Sequence, residues 1–237
     1  MTPRIVISTP IDGNAITGTV QSGYALAREA VLHSCATVRG HVPARLMHSC
    51  DVVRARNRAA RAAVASDMTH VLHWDSDVVP DNAPALLDAM LASGHDFVGA
   101  PFPTKSDPPR LNVAGFGRGI GERQGDCLPV PGFGFGFVLT TVAMLRAMCD
   151  RYDAADWYYD VTSDGKVHRT IGLFDLRYAH TPPTGHVGAW RERLSEDYSF
   201  AHRAIEMGIQ PWLYVGEHAS VVHVGQYGYR LPKGAVG

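Results

Sequence analysis

Residues 70–78 read His-Val-Leu-His-Trp-Asp-Ser-Asp-Val, and this stretch decides the fold prediction. The apolar run before Asp75 has the length of a short buried strand. Two carboxylates, Asp75 and Asp77, follow two positions apart where the chain leaves that strand. Carboxylates there can bind a hard cation and a hydroxyl-rich ligand beside it, but they also commonly close a strand as an Asx-turn. The motif alone leaves both interpretations open.

The segments around this stretch alternate between strand and helix patterns. Strands are predicted at residues 5–7, 44–47, 70–74 and 97–100. Helices are predicted at residues 22–37, 52–66 and 82–93. Asp51 is a favourable N-cap for the second helix, and Pro84 suits the first turn of the third. Short connections between alternating elements are typical of an α/β fold with a mostly parallel sheet and helices on both faces.

The alternation ends at Pro101. Residues 103–125 are rich in proline, glycine and charge, and indicate a long excursion. Residues 132–138, Gly-Phe-Gly-Phe-Gly-Phe-Val, return to the core. The remaining predicted elements are a helix at 141–149, a hairpin at 158–173, a helix from 195 to about 208, and strands at 212–215 and 220–223. We predict one domain over residues 1–237, with ligand binding at the strand ends of its first half.

Composition describes an ordinary globular chain. Hydrophobic residues make up 46% and charged residues 19% of the 237 positions, as in soluble domains. A net charge of −1 argues against a global basic field of the kind that nucleic-acid binders carry. Residues 39–61, however, contain six arginines and only one acid, Asp51. That stretch either faces a phosphate-bearing ligand or forms the solvated side of a helix.

The remaining sequence signals concern the compartment. The four cysteines form no C-x-x-C pair and no metal-finger spacing, which favours reduced thiols. The N-terminus leads directly into a strand pattern without a signal peptide, and no apolar run approaches the ~18–20 residues of a membrane span. We expect a cytoplasmic protein with no membrane partner.

Ligands of open α/β sheets bind beyond the carboxyl ends of the strands. Thr9-Pro10 and Asp75-Ser76-Asp77 fall on that edge, and Arg56-Asn57 lies one turn into a helix whose N-terminus faces it. A second acidic pair, Glu196-Asp197, stands at a predicted helix start, where it either caps the helix or presents a general base. His223 ends the last strand; it is one of 12 histidines, yet imidazole beside carboxylates suits Mn²⁺.

In this order the motifs resemble GT-A glycosyltransferases of the family-two type over residues 4–229. The resemblance rests on Ala55-Arg56-Asn57, the strand ending in Asp-x-Asp, the glycine-rich segment 132–138, the Glu-Asp helix start and His223-Val224-Gly225. It implies a GT-A fold in which residues 1–101 bind the nucleotide and residues 102–237 complete the metal and acceptor sites. The implied activity is transfer of a hexose or pentose from a nucleoside-diphosphate sugar, of UDP or GDP type, to an acceptor hydroxyl.

The resemblance also implies roles for individual residues. Asp77 and His223 would hold Mn²⁺ or Mg²⁺, with Asp75 binding the donor ribose or the ion through water. Asp197 would deprotonate the acceptor in an inverting reaction, with Glu196 as the second candidate. The donor pocket would contain Thr9, Pro10, Arg56, Asn57, Asp75, Ser76 and Gly134.

Several points remain open at the level of sequence. The Gln-x-x-Arg-Trp motif of processive synthases is missing, which argues against processive synthesis. No acid on the second strand clearly matches the residue that usually contacts the base, so the nucleobase of the donor is undecided. The acceptor side should come from residues 103–125 and 153–193, whose aromatics either stack on sugars or bases or pin the loops.

The small format with a tyrosine-rich end also resembles phage-type glycosyltransferases, which would act in the host cytoplasm on a glycan or a hydroxyl-bearing DNA base. Two alternatives stay open. A nucleotidyltransferase is disfavoured because residues 9–14 contain no basic residue. A non-catalytic nucleotide- or glycan-binding module is disfavoured by the intact acids and His223.

Overall fold

The protein is described from a computed structural model. The description covers residues 2–12, 18–35, 38–46, 51–113, 120–161, 165–179, 192–225 and 228–231, without the side chains of 11–12, 18–22 and 38–46. The strands are β1 (Ile5–Asp12), β2 (Val38–Leu46), β3 (His70–Trp74), β4 (Val78–Pro80), β5 (Phe97–Gly99), β6 (Cys127–Pro129), β7 (Phe137–Thr141), β8 (Trp157–Val161), β9 (Val167–Ile171), β10 (Tyr178–Ala179), β11 (Glu192–Arg193), β12 (Trp212–Tyr214), β13 (Val221–Val224) and β14 (Gly228–Tyr229). The helices are α1 (Gly18–Ser34), α2 (Val52–Val64), α3 (Ala83–Ala92), α4 (Val142–Tyr152) and α5 (Glu196–Glu206).

A seven-stranded sheet with the order β2-β1-β3-β7-β5-β12-β6 forms the centre of the described fold. Five of its strands run in one direction, whereas β7 and β6 are antiparallel to their neighbours. Helices α1 and α3 contribute to the core on one face, and α2, α4 and α5 to the core on the other. The mixed α/β fold with a mostly parallel sheet is therefore confirmed.

Several element boundaries differ from the prediction. Strand β2 begins at Val38 rather than at residue 44, and β1 continues past Pro10 to Asp12, because the two strands pair in parallel along their whole length. Helix α1 begins at Gly18 and ends at Ser34. Strand β3 has the predicted bounds, and Asp51 caps α2 by accepting a hydrogen bond from the Arg54 amide at 3.0 Å.

The glycine-rich segment 132–138 leads into β7, which the strand–helix alternation did not predict as an antiparallel strand. This strand inserts between β3 and β5, pairing Trp74 with Phe137 and Phe97 with Thr140. Strand β7 begins beside the carboxyl ends of β3 and β5, where Phe137 pairs with Trp74 and Val138 with Gly99, so it runs against both neighbours. Phe135, just before it, packs among the rings of Phe97, Phe174 and Phe200.

A small sheet of order β14-β13-β4 carries the end of the described chain. Strand β13 pairs antiparallel with β4, so that His223 lies opposite Val78. In addition, the Val224 amide donates a hydrogen bond to the Asp77 carbonyl at 2.7 Å. This pairing places the late histidine beside the Asp-Ser-Asp turn, 146 residues earlier in the chain (223 minus 77).

Candidate active site

Arg56 is the centre of a buried charge cluster at the end of β3. Its side chain is only 2% exposed, and helix α2 directs it into the core beside the alanines that face the sheet. One guanidinium nitrogen, Nη2, donates to both carboxylate oxygens of Asp75 at 3.0 and 3.1 Å. The other, Nη1, donates to Glu196 at 3.0 Å and to Asp197. One arginine thus joins the two acidic motifs that the sequence separates by some 120 residues (196 minus 75).

Aromatic rings complete the surroundings of this guanidinium. It lies over Phe135 at 5.3 Å and over Phe174 at 5.9 Å, measured from the guanidinium carbon to each ring centroid. Contacts of this kind favour a retained positive charge. Burial lowers the pKa of Arg56, but the carboxylates of Asp197, Asp75 and Glu196 outweigh burial and raise it. Arg56 therefore carries a positive charge at neutral pH.

Asp197 has an environment that suits a general base. Burial raises its pKa to about 7; Arg56 opposes this rise, whereas Glu196 and Asp75 add to it. The carboxylate is held in place because its Oδ2 accepts a hydrogen bond from the Phe135 amide at 3.1 Å. Ser195, the N-cap of α5, makes no side-chain capping bond, and both acids that follow it accept hydrogen bonds from Arg56.

Asp75 differs from Asp197 in its position. It directly follows β3, and its amide donates to the Gly136 carbonyl at 2.9 Å. Burial raises the pKa of Asp75, Arg56 lowers it, and the neighbouring Asp77 raises it further, with a net upward shift. With 28% of its side chain exposed, Asp75 is the most open of the three acids on Arg56.

Asp77 belongs to a second cluster, on the other side of the turn. Its Oδ2 accepts a hydrogen bond from Lys105 Nζ at 2.5 Å and lies 3.5 Å from His223 Nε2. Burial raises the pKa of Asp77, but hydrogen bonds and charges from His223 and Lys105 outweigh burial and hold it at about 2. Asp77 is consequently a carboxylate at neutral pH.

His223 is oriented by the chain that follows β5. Its Nδ1 lies 2.8 Å from the Pro103 carbonyl, which can only accept, so Nδ1 carries the proton and Nε2 faces Asp77. The Phe102 ring contacts the imidazole edge to face, with centroids 5.3 Å apart. A carbonyl that fixes one ring nitrogen and leaves the other for an ion is the usual second contact of a metal-binding histidine.

The donor set at Asp77 fits a hard divalent ion carried by a phosphate ligand. Among the residues that the structure describes, no three His, Cys, Asp or Glu side chains converge as a complete metal site. Mg²⁺ usually takes only one or two protein carboxylates and completes its shell with water and substrate phosphates, and Mn²⁺ accepts imidazole as well. Asp77 and His223 meet that requirement, whereas Asp75 is engaged by Arg56.

Four of the predicted donor-site residues are buried or half-buried, and the polar side-chain atoms of two of them bind other protein groups. Thr9 is fully buried, with its hydroxyl 2.5 Å from the Tyr24 hydroxyl. Asn57 is also buried: its Oδ1 accepts from the Phe174 amide at 2.9 Å and its Nδ2 donates to Asp175 at 2.8 Å. Asn57 thereby ties α2 to residues 174–175. Pro10 and Ser76 are half-buried. Ser76 lies in the turn after β3, whereas Pro10 lies within β1 rather than beyond its end.

Gly134 lies under the loop that carries Asn112. A Cβ there would lie 2.3 Å from the Asn112 amide nitrogen and 2.7 Å from the Phe102 ring. The Gly134 amide donates to the Asn112 carbonyl at 3.2 Å, and Tyr198 donates its hydroxyl proton to Asn112 Oδ1 at 2.6 Å. The absence of a side chain at Gly134 lets Asn112 and Phe102 approach this closely. The segment from Phe102 to Asn112 contacts α5 through Tyr198 and also carries Pro103, the partner of His223.

The arginine-rich stretch has a different environment from either interpretation offered by the sequence. Arg54 and Arg58 donate to the fully buried carboxylate of Asp160 at 2.7 and 2.5 Å, and Arg61 lies 3.7 Å from it. These arginines therefore hold the β8–β9 hairpin against α2. The side chains of Arg39 and Arg45 lie outside the described part.

One aromatic side chain of β8 is packed against α2, whereas two others are exposed. Tyr158 faces inward and lies within 3.3 Å of Asn57, whereas Trp157 and Tyr159 are 42% and 65% exposed. His180, His186 and Trp190 lie outside the described residues.

Two contributors to the site were missed by the sequence analysis. Lys105 was part of a segment assigned to the acceptor side, and no local pattern connected it with Asp77. The carbonyl of Pro103 carries no sequence signal at all.

Cys35, Cys127 and Cys149 are free thiols, as expected, and Cys50 lies outside the described residues.

A solved structure shares the fold of this chain, although sequence comparisons find no relative. No family model matches the chain, and no curated protein matches it. The crystal structure of A197 from STIV matches with a TM-score of 0.53 and 14% identity, covering 94% of this chain and 86% of that chain. The two chains therefore share a fold.

Two further solved structures match less of the chain. A protein of Bacillus anthracis described as a glucose-1-phosphate thymidylyltransferase, in complex with sucrose, has a TM-score of 0.38 and 9% identity over 62% of this chain and 74% of that chain. A glycosyltransferase involved in the glycosylation of the major capsid of PBCV-1 has a TM-score of 0.36 and 13% identity over 65% and 70%. Both scores lie below 0.5, where a likeness assigns neither a fold nor an activity.

Within the described residues, no helix is long and apolar enough to span a bilayer.

Proposed function

We propose that the protein is a metal-dependent, non-processive glycosyltransferase of the GT-A type. It moves a sugar from a nucleoside-diphosphate sugar, of UDP or GDP type, to an acceptor hydroxyl. The acceptor is a glycan or a hydroxyl-bearing base in DNA. The setting is the cytoplasm, and for a phage protein the cytoplasm of the host.

The observation that carries this proposal is the convergence of the two acidic motifs on Arg56. Asp75 follows a sheet strand, and Glu196-Asp197 begins a helix far along the chain, yet one buried guanidinium binds all three carboxylates. An isolated Asx-turn or a helix cap needs no such partner. The arrangement instead supplies an acceptor-activating acid and a donor-binding acid on opposite sides of one positive charge.

Asp197 is assigned as the general base. A base is most effective when its pKa lies near the working pH, and burial brings the pKa of Asp197 to about 7. Its Oδ2, held by the Phe135 amide, keeps the carboxylate in one orientation while the acceptor hydroxyl loses its proton. Glu196 remains the second candidate, at 21% side-chain exposure compared with 16% for Asp197. Proton removal on the face opposite the leaving group corresponds to an inverting reaction.

Asp77 and His223 would hold Mn²⁺ or Mg²⁺, which supplies Lewis-acid neutralisation of the diphosphate leaving group. Asp77 is fully ionised at neutral pH, and the Pro103 carbonyl keeps His223 Nε2 directed at it. Asp75, one residue past the strand, offers its remaining lone pairs to the ribose hydroxyls. Trp157 and Tyr159, exposed on β8, support the acceptor, since exposed aromatic rings stack on sugars and bases.

Thermal unfolding with a panel of UDP-, GDP-, CDP- and dTDP-sugars, with and without Mn²⁺, tests the donor site without an acceptor. A donor at ~100 times its dissociation constant adds about 2.7 kcal/mol, which corresponds to roughly 5–10 °C for a domain of this size. We expect one nucleotide to give this shift only with metal. A shift with a nucleoside triphosphate alone would favour nucleotidyl transfer, and no shift with any nucleotide would contradict the proposal.

Asp77→Asn should abolish the metal-dependent part of that shift. Asp126→Asn is the matched control, because Asp126 is a surface acid paired with Arg123 and is 60% exposed. An unchanged metal dependence in Asp77→Asn would remove Asp77 from the metal site.

A further inference from the structure

Lys105 is the cation on Asp77 in this structure. Its Nζ donates to Asp77 Oδ2 at 2.5 Å, and the same oxygen is the one that lies 3.5 Å from His223 Nε2. The ammonium group therefore sits on the carboxylate oxygen that the proposed metal site requires. Two cations cannot share one carboxylate oxygen at bonding distance without strong repulsion.

The backbone around Lys105 is held in an ordered turn rather than a free loop. Pro103 pairs with Leu111 in an antiparallel bridge, and the Thr104 amide donates to the Arg110 carbonyl at 2.7 Å. The Pro103 carbonyl is also the partner of His223. Lys105 is thus fixed relative to both candidate metal ligands, while its side chain, 38% exposed, can swing toward solvent.

The alkyl stem of Lys105 passes over Gly225. A Cβ at Gly225 would lie 3.2 Å from Lys105 Cδ, so that a larger residue there would crowd the stem. The stem therefore lies against backbone, and four flexible carbon–carbon bonds leave the ammonium group free to move by a few ångströms.

We propose that Lys105 occupies the cation position on Asp77 in the free protein and exchanges Asp77 for the diphosphate of the donor when the divalent ion binds. The inference rests on the proposed function, because it takes a nucleoside diphosphate as the ligand. A diphosphate bound beside Asp77 brings anionic oxygens within reach of the displaced ammonium group. Lys105 then contributes a second positive charge to the leaving group through charge-assisted hydrogen bonds.

Lys105→Met separates the two halves of this exchange, since methionine keeps the apolar stem and removes the charge. Mn²⁺ binding without nucleotide is measured from the electron paramagnetic resonance signal of free Mn²⁺. Binding should become roughly two- to fivefold tighter in Lys105→Met, the range set by the loss of one partly exposed ion pair. Binding of UDP and GDP at saturating Mn²⁺, measured by calorimetry, should become about tenfold weaker or more for the preferred nucleotide.

Tighter Mn²⁺ binding together with weaker nucleoside-diphosphate binding in Lys105→Met would indicate the exchange. Lys105→Arg keeps the charge and should leave Mn²⁺ affinity close to that of the parent. Lys166→Met, in the chain leading to β9, is the matched control and should change neither affinity. Thermal unfolding without ligand verifies that each variant is folded.

Mn²⁺ affinity that is unchanged or weaker in Lys105→Met, or nucleoside-diphosphate affinity that is unchanged, would overturn the inference. Asp77→Asn distinguishes this failure from failure of the proposed function. If the parent binds Mn²⁺ through Asp77 and Lys105→Met has no effect, only the role of Lys105 is wrong. If the parent binds no Mn²⁺ and no nucleoside diphosphate, both proposals are wrong.

Discussion

Removal of the Arg56 charge should strongly destabilise the protein, and in a manner that depends on pH. In Arg56→Met, three carboxylates that now share a guanidinium keep their burial and lose their counter-charge. Breaking a buried ion pair by removal of one partner costs about 3–5 kcal/mol. For a domain of this size that loss lowers the melting temperature by roughly 6–20 °C.

The pH dependence follows from Asp197. Burial raises its pKa to about 7 in the folded protein, although Arg56 opposes this rise, and the unfolded value is about 3.9. An acid whose folded pKa is raised loses stability as pH increases from the unfolded to the folded pKa. Without Arg56 the folded pKa moves higher still, so the difference between variant and parent should be larger at pH 8 than at pH 5.5.

Urea unfolding at both pH values measures this difference. Arg123→Met is the control, because Arg123 is 46% exposed and its pair with Asp126 contributes about 0–1 kcal/mol. The double variant Arg56→Met/Asp197→Asn should recover part of the loss, since it removes one of the uncompensated charges. A loss below about 1 kcal/mol at pH 8, or a larger loss at pH 5.5, would refute the assignment of Arg56 as the counter-charge of this cluster.

Three further outcomes are expected. The rate of sugar transfer by the parent should increase with pH up to about 7 as Asp197 loses its proton. Asp197→Asn should still bind the donor but transfer sugar roughly 10²–10⁴-fold more slowly. Loss of donor binding in that variant would make Asp197 structural. Asp160→Asn should lower the free energy of unfolding by about 2–3 kcal/mol, measured by urea unfolding, because three arginines of α2 surround this buried carboxylate; a change near zero would contradict its tethering role. Gly136→Ala should cost about 1–3 kcal/mol, since its Cβ would lie 2.9 Å from Phe102, while Gly23→Ala, whose Cβ meets Val79 at 3.6 Å, should not lower the melting temperature.

Local signals account for the parts of the fold that were predicted well. Asp51, Asn82 and Thr141 each accept a hydrogen bond from an amide three residues later, and each begins a helix within one residue of its predicted start. Capping and strand hydrophobicity act over a few residues, so the chain expresses them without its tertiary context. The start of β2 was wrong because its ladder with β1 extends a strand whose own residues give a weak pattern.

The candidate site divides in the same way. The sequence nominated Asp75, Asp77, Asp197 and His223 through short motifs whose order resembles that of GT-A glycosyltransferases, since each motif alone also has a structural interpretation. Sequence could not assign their partners. Arg56 was predicted to lie in the donor pocket, and no local signal indicated that it binds carboxylates from two distant segments.

What the sequence determined by itself is therefore the location of β1, β3, β5, β12 and β13, the starts of α2, α3, α4 and α5 to within one residue, and the acids near their ends. Only the tertiary structure decided that Arg56 joins Asp75 to Asp197 and that Lys105 lies on Asp77. The first contact depends on the packing of α5 beside Phe135. The second depends on the register of β13 against β4 and on the return of residues 102–113 over the turn. Such contacts join residues far apart in the chain, and their energy is gained only once the whole sheet has assembled.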